Sequence, residues 1–121
     1  MTKAEALYKF FNGFGLDAYP DTNVPEDAEL PYLTYSIMLD SIGYQISMPV
    51  NLWYRTESEA VPLAKVEEIG NVIDGGKFVP CDGGAILITK GSPFCQSLMD
   101  DTEEKIKRKY LNLVVEYLTN N

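Results

Sequence analysis

The chain contains no histidine, and this absence limits the chemistry that its side chains could perform. Histidine is the commonest general base, the usual activator of nucleophiles and a frequent metal ligand. Carboxylate or cysteine chemistry remains, and the 18 Asp and Glu residues could supply an acid/base pair or a Mg²⁺ site. Most of them lie in helix caps, loops and the run Asp100-Asp101-Thr102-Glu103-Glu104, which is typical of a solvated surface. We therefore expect no catalytic residue, no metal site and no cofactor.

The two cysteines, Cys81 and Cys95, do not have the Cys-x-x-Cys spacing of a zinc site or a dithiol redox pair. Cysteine is among the most buried residue types. We predict two buried free thiols in a reducing compartment; a disulfide between them is the alternative.

The segment Asp74-Gly75-Gly76-Lys77 is superficially like a phosphate-binding loop. Such a loop leads from a strand into a helix, and its Lys is followed by Ser or Thr. Here the segment leaves a predicted helix and is followed by Phe78, so we do not interpret it as a phosphate site.

Trp53 and Arg55 are of the residue types enriched at protein interfaces. Trp53 falls on the strand face opposite the strongest apolar stripe. Two interpretations remain open, since this face could be a subunit interface or a second core beneath a helix.

Size and charge narrow the class of protein. The 121 residues with 45% hydrophobic content predict one domain, residues 1–121, with one core. The first residues lack a basic segment followed by an apolar stretch, so we expect the chain to remain in the cytoplasm of its producing cell. We also expect no membrane-spanning helix. A net charge of -8 disfavours binding to nucleic acid, because a surface that repels phosphates gains none of the counterion-release energy that drives such binding.

In the first half of the chain, Thr2 and Glu5 form a capping box that opens a helix ending at Gly13 and Gly15. The stretch from Asp17 to Pro31 is predicted to be a long loop. Alternating apolar residues predict strands from Tyr32 to Leu39 and from Tyr44 to Arg55, joined by a short hairpin connection at residues 40–43. Pro49 predicts an unpaired edge or a bulge in the second strand.

In the second half, a capping box at Thr56 and Glu59 predicts a helix that buries three apolar residues and ends at Asp74-Gly75-Gly76. The buried residues of this helix are Val66, Ile69 and Ile73. A hairpin at residues 81–84 follows, and the C-terminal segment fits a helix or a strand. We predict a strand from its β-branched and aromatic residues. The fold class is then α+β, a mostly antiparallel sheet of about four to five strands with two helices packed on one face.

Two longer segments carry a family resemblance. They are Asp82-Gly83-Gly84-Ala85-Ile86-Leu87-Ile88-Thr89-Lys90-Gly91-Ser92-Pro93-Phe94-Cys95-Gln96 and Lys109-Tyr110-Leu111-Asn112-Leu113-Val114-Val115-Glu116-Tyr117-Leu118. Together with the N-terminal helix and the hairpin containing Val50-Asn51-Leu52-Trp53-Tyr54, they resemble the tail terminator and minor capsid (tail completion) proteins of long-tailed bacteriophages and prophages. The resemblance covers most of the chain.

The resemblance implies a non-enzymatic structural protein of the virion neck, made in the bacterial host cytoplasm. Six copies would form a ring that caps the tail tube protein and meets the head–tail connector protein. DNA would pass through the pore without specific binding, which an acidic wall favours. By analogy the C-terminal segment is a strand.

A closed ring needs a heterologous interface, for which exposed strand edges and a long loop are suitable. We predict subunit contacts in the loop from Asp17 to Pro31 and in a turn from Lys90 to Gln96. The individual candidates are Trp53, Arg55, Lys90, Pro93, Phe94 and Gln96. The alternatives are a head completion protein of the same neck and, more distantly, a ligand-binding or carboxylate-dependent enzyme domain.

Overall fold

The computed structural model describes residues 1–99 and 105–119 and contains two α-helices and six strands within them. A short 3-10 helix, Asn12–Phe14, follows the first α-helix. The helices are α1 (Lys3–Phe11) and α2 (Ala60–Ile73), and the strands are β1 (Asp17–Pro20), β2 (Tyr32–Tyr35), β3 (Gln45–Arg55), β4 (Lys77–Cys81), β5 (Gly84–Met99) and β6 (Ile106–Thr119).

The strands form one mixed sheet in the order β1-β2-β3-β6-β5-β4. All neighbouring pairs are antiparallel except β1 and β2, which run parallel. The α+β class is confirmed, whereas the predicted four to five strands were too few. The missed strand, β1, lies inside the predicted loop from Asp17 to Pro31, because four residues ending in a proline carry no recognisable alternation.

The hydrophobic core lies between the two helices and one face of the sheet. On β6 the side chains of Leu111, Leu113, Val115 and Tyr117 are fully buried on this face, which confirms the predicted C-terminal strand. Helix α1 contacts both β4 and β1, which lie at opposite edges of the sheet. The sheet therefore curls around α1, and α2 packs against β5 and β6.

The two helices begin in different ways. The capping box of α1 is confirmed, since Thr2 and Glu5 exchange both hydrogen bonds. The prediction of a capping box at Thr56 and Glu59 for α2 was wrong, because the Glu59 side chain makes no capping hydrogen bond. Its carboxylate instead accepts a hydrogen bond from Lys109 of β6. The Thr56 hydroxyl accepts from the Ser58 backbone N–H.

The rest of α2 follows the sequence prediction. Val66, Ile69 and Ile73 are buried in the core. After the helix, Gly75 and Gly76 have φ values of 74° and 100°. Only glycine adopts this left-handed region at no steric cost, so the helix ends where the sequence predicts.

The connection between β2 and β3 is longer than the predicted hairpin. Strand β2 ends at Tyr35, opposite Val50, and residues 36–44 form no strand. The Tyr117 hydroxyl donates to the Met38 carbonyl, which holds this connection against the end of the core. Pro49 lies one position beyond the last β2 pair, and its pairing with β6 is continuous. The Ser36 N–H still donates to the Pro49 carbonyl at 3.1 Å, but Pro49 has no N–H to return that bond, so the β2–β3 ladder ends there without a bulge.

The predicted turn from Lys90 to Gln96 was also wrong, because these residues lie within the single long strand β5. Lys90 pairs with Leu113 and Cys95 with Leu111, so the four residues between them face Asn112 alone. A Cβ on Gly91 would lie 2.3 Å from the Asn112 side-chain nitrogen. This close approach requires glycine, and the chain forms a bulge there.

Candidate assembly surface

The sheet face opposite the helices has no second layer of the described chain packed on it. Strand pairing places Trp53 beside Arg108, and Asn51 beside Tyr110, on this uncovered sheet face. The buried hydrophobic residues form one cluster on the other face, with both helices. A second core beneath Trp53, one of the two interpretations of this residue, is therefore wrong.

Trp53 is held by polar contacts on the uncovered sheet face. Its indole Nε1 donates a 3.0 Å hydrogen bond to Thr34 Oγ1. The Arg108 guanidinium carbon lies 5.3 Å from the indole ring centroid, a cation–π distance. Arg108 Nε also donates to Asn51 Oδ1 at 3.0 Å. The half-buried indole is thus fixed in one orientation, which lowers the entropy cost of contact with a partner.

Further aromatic residues extend this surface towards the β1 edge. Tyr19 pairs with Thr34, and Tyr32 pairs with Trp53, so both tyrosines lie on the uncovered sheet face. Their ring centroids are 5.8 Å apart in an edge-to-face arrangement. The sequence indicated Trp53 but missed Arg108, Tyr110 and Tyr19, because only the strand register brings these residues together.

Two other predicted residues share this face. Arg55 follows Trp53 by two positions and is exposed. Gln96 pairs with Tyr110 and is also exposed. The structure therefore brings Trp53, Arg55 and Gln96 onto one face, near the end of the sheet where β6 begins.

Lys90 and Phe94 lie on the opposite side, against α2. The Lys90 ammonium is 5.1 Å from the Phe94 ring centroid and 3.5 Å from Asp74 Oδ1. Phe94 is half-buried, and its Cε2 atom is 3.1 Å from where a Cβ on Gly70 would stand. These two side chains have contacts within a single copy of the chain. Pro93 is exposed in the bulge.

Both edges of the sheet carry a feature that hinders strand pairing. On β1, the Asn12 carboxamide donates to the Ala18 carbonyl at 3.3 Å and accepts from the Ala18 N–H at 3.0 Å. On β4, Pro80 has no N–H, and the Met1 carbonyl accepts from Asp82 N at 2.7 Å beside it. Assembly by edge-to-edge strand pairing is thereby disfavoured, although exposed strand edges were expected to contribute to a ring.

The chain also exposes an apolar segment at residues 37–44. Five large side chains there are between 38% and 61% exposed: Ile37, Met38, Leu39, Ile42 and Tyr44. Contiguous exposed apolar residues are typical of interaction sites. This segment lies at one end of the sheet, away from Trp53.

The cysteines are free thiols, as predicted, but neither is fully buried, so that part of the prediction was wrong. Both are half-buried, Cys81 on β4 and Cys95 on β5. Burial raises the pKa of Cys95, against a smaller opposing effect of the Lys109 charge. A raised pKa keeps the thiol protonated and unreactive at neutral pH.

Within residues 1–99 and 105–119, no three His, Cys, Asp or Glu side chains come together to hold a metal ion. No helix in the described part of the chain is long and apolar enough to cross a membrane. The acidic run at residues 100–104 lies outside the described residues. Asp74 ends α2 and pairs with Lys90.

Comparisons of the chain with protein-family models, curated proteins and solved structures find no significant match.

Proposed function

We propose that this chain is a structural subunit of a bacteriophage neck, which assembles as a ring on the tail tube and joins it to the head connector. The observation that carries the proposal is the uncovered sheet face around Trp53. Aromatic and arginine side chains dominate the energy of protein contacts when they are rigid and partly desolvated. The family resemblance of the sequence supplies the particular assembly.

The arrangement of the surfaces supports association through side chains. Asn12 on β1 and Pro80 on β4 disfavour strand addition at the two edges. The uncovered sheet face around Trp53 and the apolar segment at residues 37–44 are both exposed, and they lie apart from each other. A subunit of a ring that lies between tube and connector needs contacts to its own copies and to other proteins, and these two surfaces could serve both.

The charge of the chain also supports the proposal. A net charge of -8 on each copy would line a ring with negative potential. DNA passing through such a pore is repelled by the wall and does not bind to it.

The test is deletion of the gene in an inducible phage that carries it, followed by electron microscopy of the lysate. We expect overlong or headless tails, because a tube without its terminator continues to polymerise. Normal tails beside unfilled heads would contradict the proposal and indicate a head completion protein. Normal infectious particles would exclude any neck function.

Complementation of the deletion with variants of the chain tests whether tail length depends on the uncovered sheet face around Trp53. The Trp53→Ala variant should fail to restore tail length, because it removes the aromatic side chain at the centre of the contact. Tyr44→Ala, in the apolar segment away from Trp53, tests the second surface in the same assay. A Trp53→Ala variant that folds and restores normal tails would show that this face is not the contact surface.

A further inference from the structure

A groove between α1 and the edge strand β4 combines an apolar floor with unpaired positive charge. It has a volume of about 530 Å³. Its apolar lining is formed by Met1, Ala6, Phe10, Phe78, Val79 and Pro80. Lys9 lies on the α1 side, and Lys77 lies on the β4 side. Phe78 is 59% exposed, which is a large apolar surface for an isolated copy of the chain.

The charges of this groove are not balanced within the described residues. Asp82, the one acidic residue in the lining, forms an ion pair with the Met1 ammonium group. Lys9 and Lys77 form no salt bridge with any described residue. The α1–β4 groove therefore presents a net positive charge on a chain whose overall charge is -8.

A complementary surface lies in the connection between β1 and β2, residues 21–31. This acidic connection contains Asp21, Glu26, Asp27 and Glu29 and no Lys or Arg. The last three are exposed and form no salt bridge with the described residues. Half-buried Val24 and Leu30 stand among the carboxylates and offer apolar contact.

We infer that the α1–β4 groove of one copy binds the acidic connection of a second copy of the same chain. The positive apolar groove and the acidic connection match in charge and in apolar character, and each lacks its counterpart within one copy. Because the two surfaces differ, the contact is heterologous, and repetition of it gives a ring or a filament. This inference rests on the proposed ring and names one contact through which it closes.

The mode of binding follows from the β4 edge. Pro80 provides no donor, and the Met1 carbonyl already accepts from Asp82 N. The acidic connection therefore binds through its side chains, with carboxylates at Lys9 and Lys77, and does not add a strand to the sheet. Such a contact weakens as salt concentration rises.

The experiment is sedimentation velocity of the full chain over increasing concentration at low ionic strength, with single charge reversals. Lys77→Glu in the groove and Glu26→Lys in the acidic connection should each weaken self-association about tenfold. The matched controls are Lys105→Glu and Glu67→Lys, which change the net charge equally at exposed positions outside both surfaces. We expect the controls to associate like the unmodified chain.

Mixing the two weakened variants gives the sharpest result. The Glu26→Lys copy retains a positive groove, and the Lys77→Glu copy retains an acidic connection, so the mixture can form the original contact. Association should return in the mixture to near its original strength. The inference is overturned if the unmodified chain remains monomeric at every concentration, if test and control variants behave alike, or if mixing restores nothing.

Failure of this inference can be distinguished from failure of the proposed function. Self-association that is insensitive to Lys77 and Glu26 but lost in Trp53→Ala would place the ring contact on the uncovered sheet face alone. The electron microscopy of the deletion phage decides the neck function independently of either contact.

Discussion

Lys109 of β6 is 1% exposed, and its ammonium group donates to the Glu59 carboxylate at the start of α2 and to Ser97 Oγ at 2.9 Å. The pair joins the centre of the sheet to the first turn of a helix. It also explains why Glu59 does not cap that helix, since its carboxylate is already engaged. The two partners differ in environment, because Glu59 is 53% exposed.

This asymmetry predicts unequal costs for removing either partner. Glu59→Gln leaves a buried ammonium without its counter-charge and should lower the free energy of unfolding by about 2 kcal/mol. Lys109→Met leaves a half-exposed carboxylate that water can solvate, and should cost less than about 1 kcal/mol. Urea unfolding at pH 7 measures both. Equal losses in the two variants would contradict the assignment.

The same pair predicts a pH dependence. The hydrogen bond from Lys109 lowers the pKa of Glu59 below its ordinary value of 4.5. A depressed folded-state pKa contributes stability above pH 4.5 that is lost as pH falls through the folded value. The stability difference between the original chain and Glu59→Gln should therefore shrink between neutral and acidic pH. A difference that is constant down to pH 3 would show that the effect of Glu59→Gln does not come from the carboxylate charge.

The bulge in β5 predicts a strict requirement for glycine. Gly91→Ala places a methyl group against the Asn112 side chain and 2.8 Å from the Asn112 backbone carbonyl oxygen. This substitution should lower the free energy of unfolding by about 2–3 kcal/mol. Gly13→Ala is the matched control, because a Cβ there meets nothing within 4 Å and its φ is ordinary. Asn112→Ala should recover part of the loss in the Gly91→Ala background. Thermal unfolding of Gly91→Ala, Gly13→Ala and the Gly91→Ala/Asn112→Ala double variant provides the comparison.

Two buried tyrosines predict opposite effects of removing a hydroxyl. Tyr35 stacks on Phe11 at 4.6 Å, and its hydroxyl is the one buried side-chain polar atom of the described residues without a hydrogen bond. Tyr35→Phe should therefore be neutral or stabilise by up to about 1 kcal/mol. Tyr117→Phe loses the bond to the Met38 carbonyl and should destabilise by about 1 kcal/mol. Destabilisation of both variants alike would show that Tyr35 is hydrogen-bonded in solution.

The position of Phe94 predicts a loss of stability in a single copy. Phe94→Ala removes a half-buried ring from α2 and from Lys90, and should cost about 1–2 kcal/mol. Phe78→Ala is the matched control, because this ring is 59% exposed, and should change stability by less than about 0.5 kcal/mol. Unfolding measured at low protein concentration excludes effects of association. A neutral Phe94→Ala variant would return this residue to the candidates for a subunit contact.

Residue composition made part of the fold predictable from the sequence. The periodicity of the C-terminal segment fitted a helix or a strand, and its β-branched and aromatic residues favoured the strand β6, in which Leu111, Leu113, Val115 and Tyr117 are fully buried. Gly75 and Gly76 marked the end of α2, because glycine is the residue that adopts the left-handed backbone conformation after a helix without steric cost.

Other features depend on tertiary contacts that the sequence does not display. The Thr56–Glu59 pattern has the form of a capping box, but Lys109 competes for Glu59 from fifty positions away. Strand β1 is stabilised by the Asn12 carboxamide and by parallel pairing with β2. The bulge at Gly91 has the proline and glycine of a turn, yet β6 continues past it on the other side.

The uncovered sheet face around Trp53 was also predictable only in part. Trp53 was identifiable because its face alternates with the apolar stripe of β3. Its partner Arg108 comes from β6, and the register between these strands is set by the whole core and not by either segment.

The Asn12 carboxamide on β1 has a consequence for the protein as it accumulates in a crowded cell. A bare edge strand is a template on which further chains can add without limit, as in cross-β fibrils. The Asn12 carboxamide occupies the backbone N–H and C=O of Ala18, so another strand cannot pair with β1 at that position. Replacing Asn12 should therefore cause insolubility and fibril formation in concentrated samples under conditions in which the native fold is still stable.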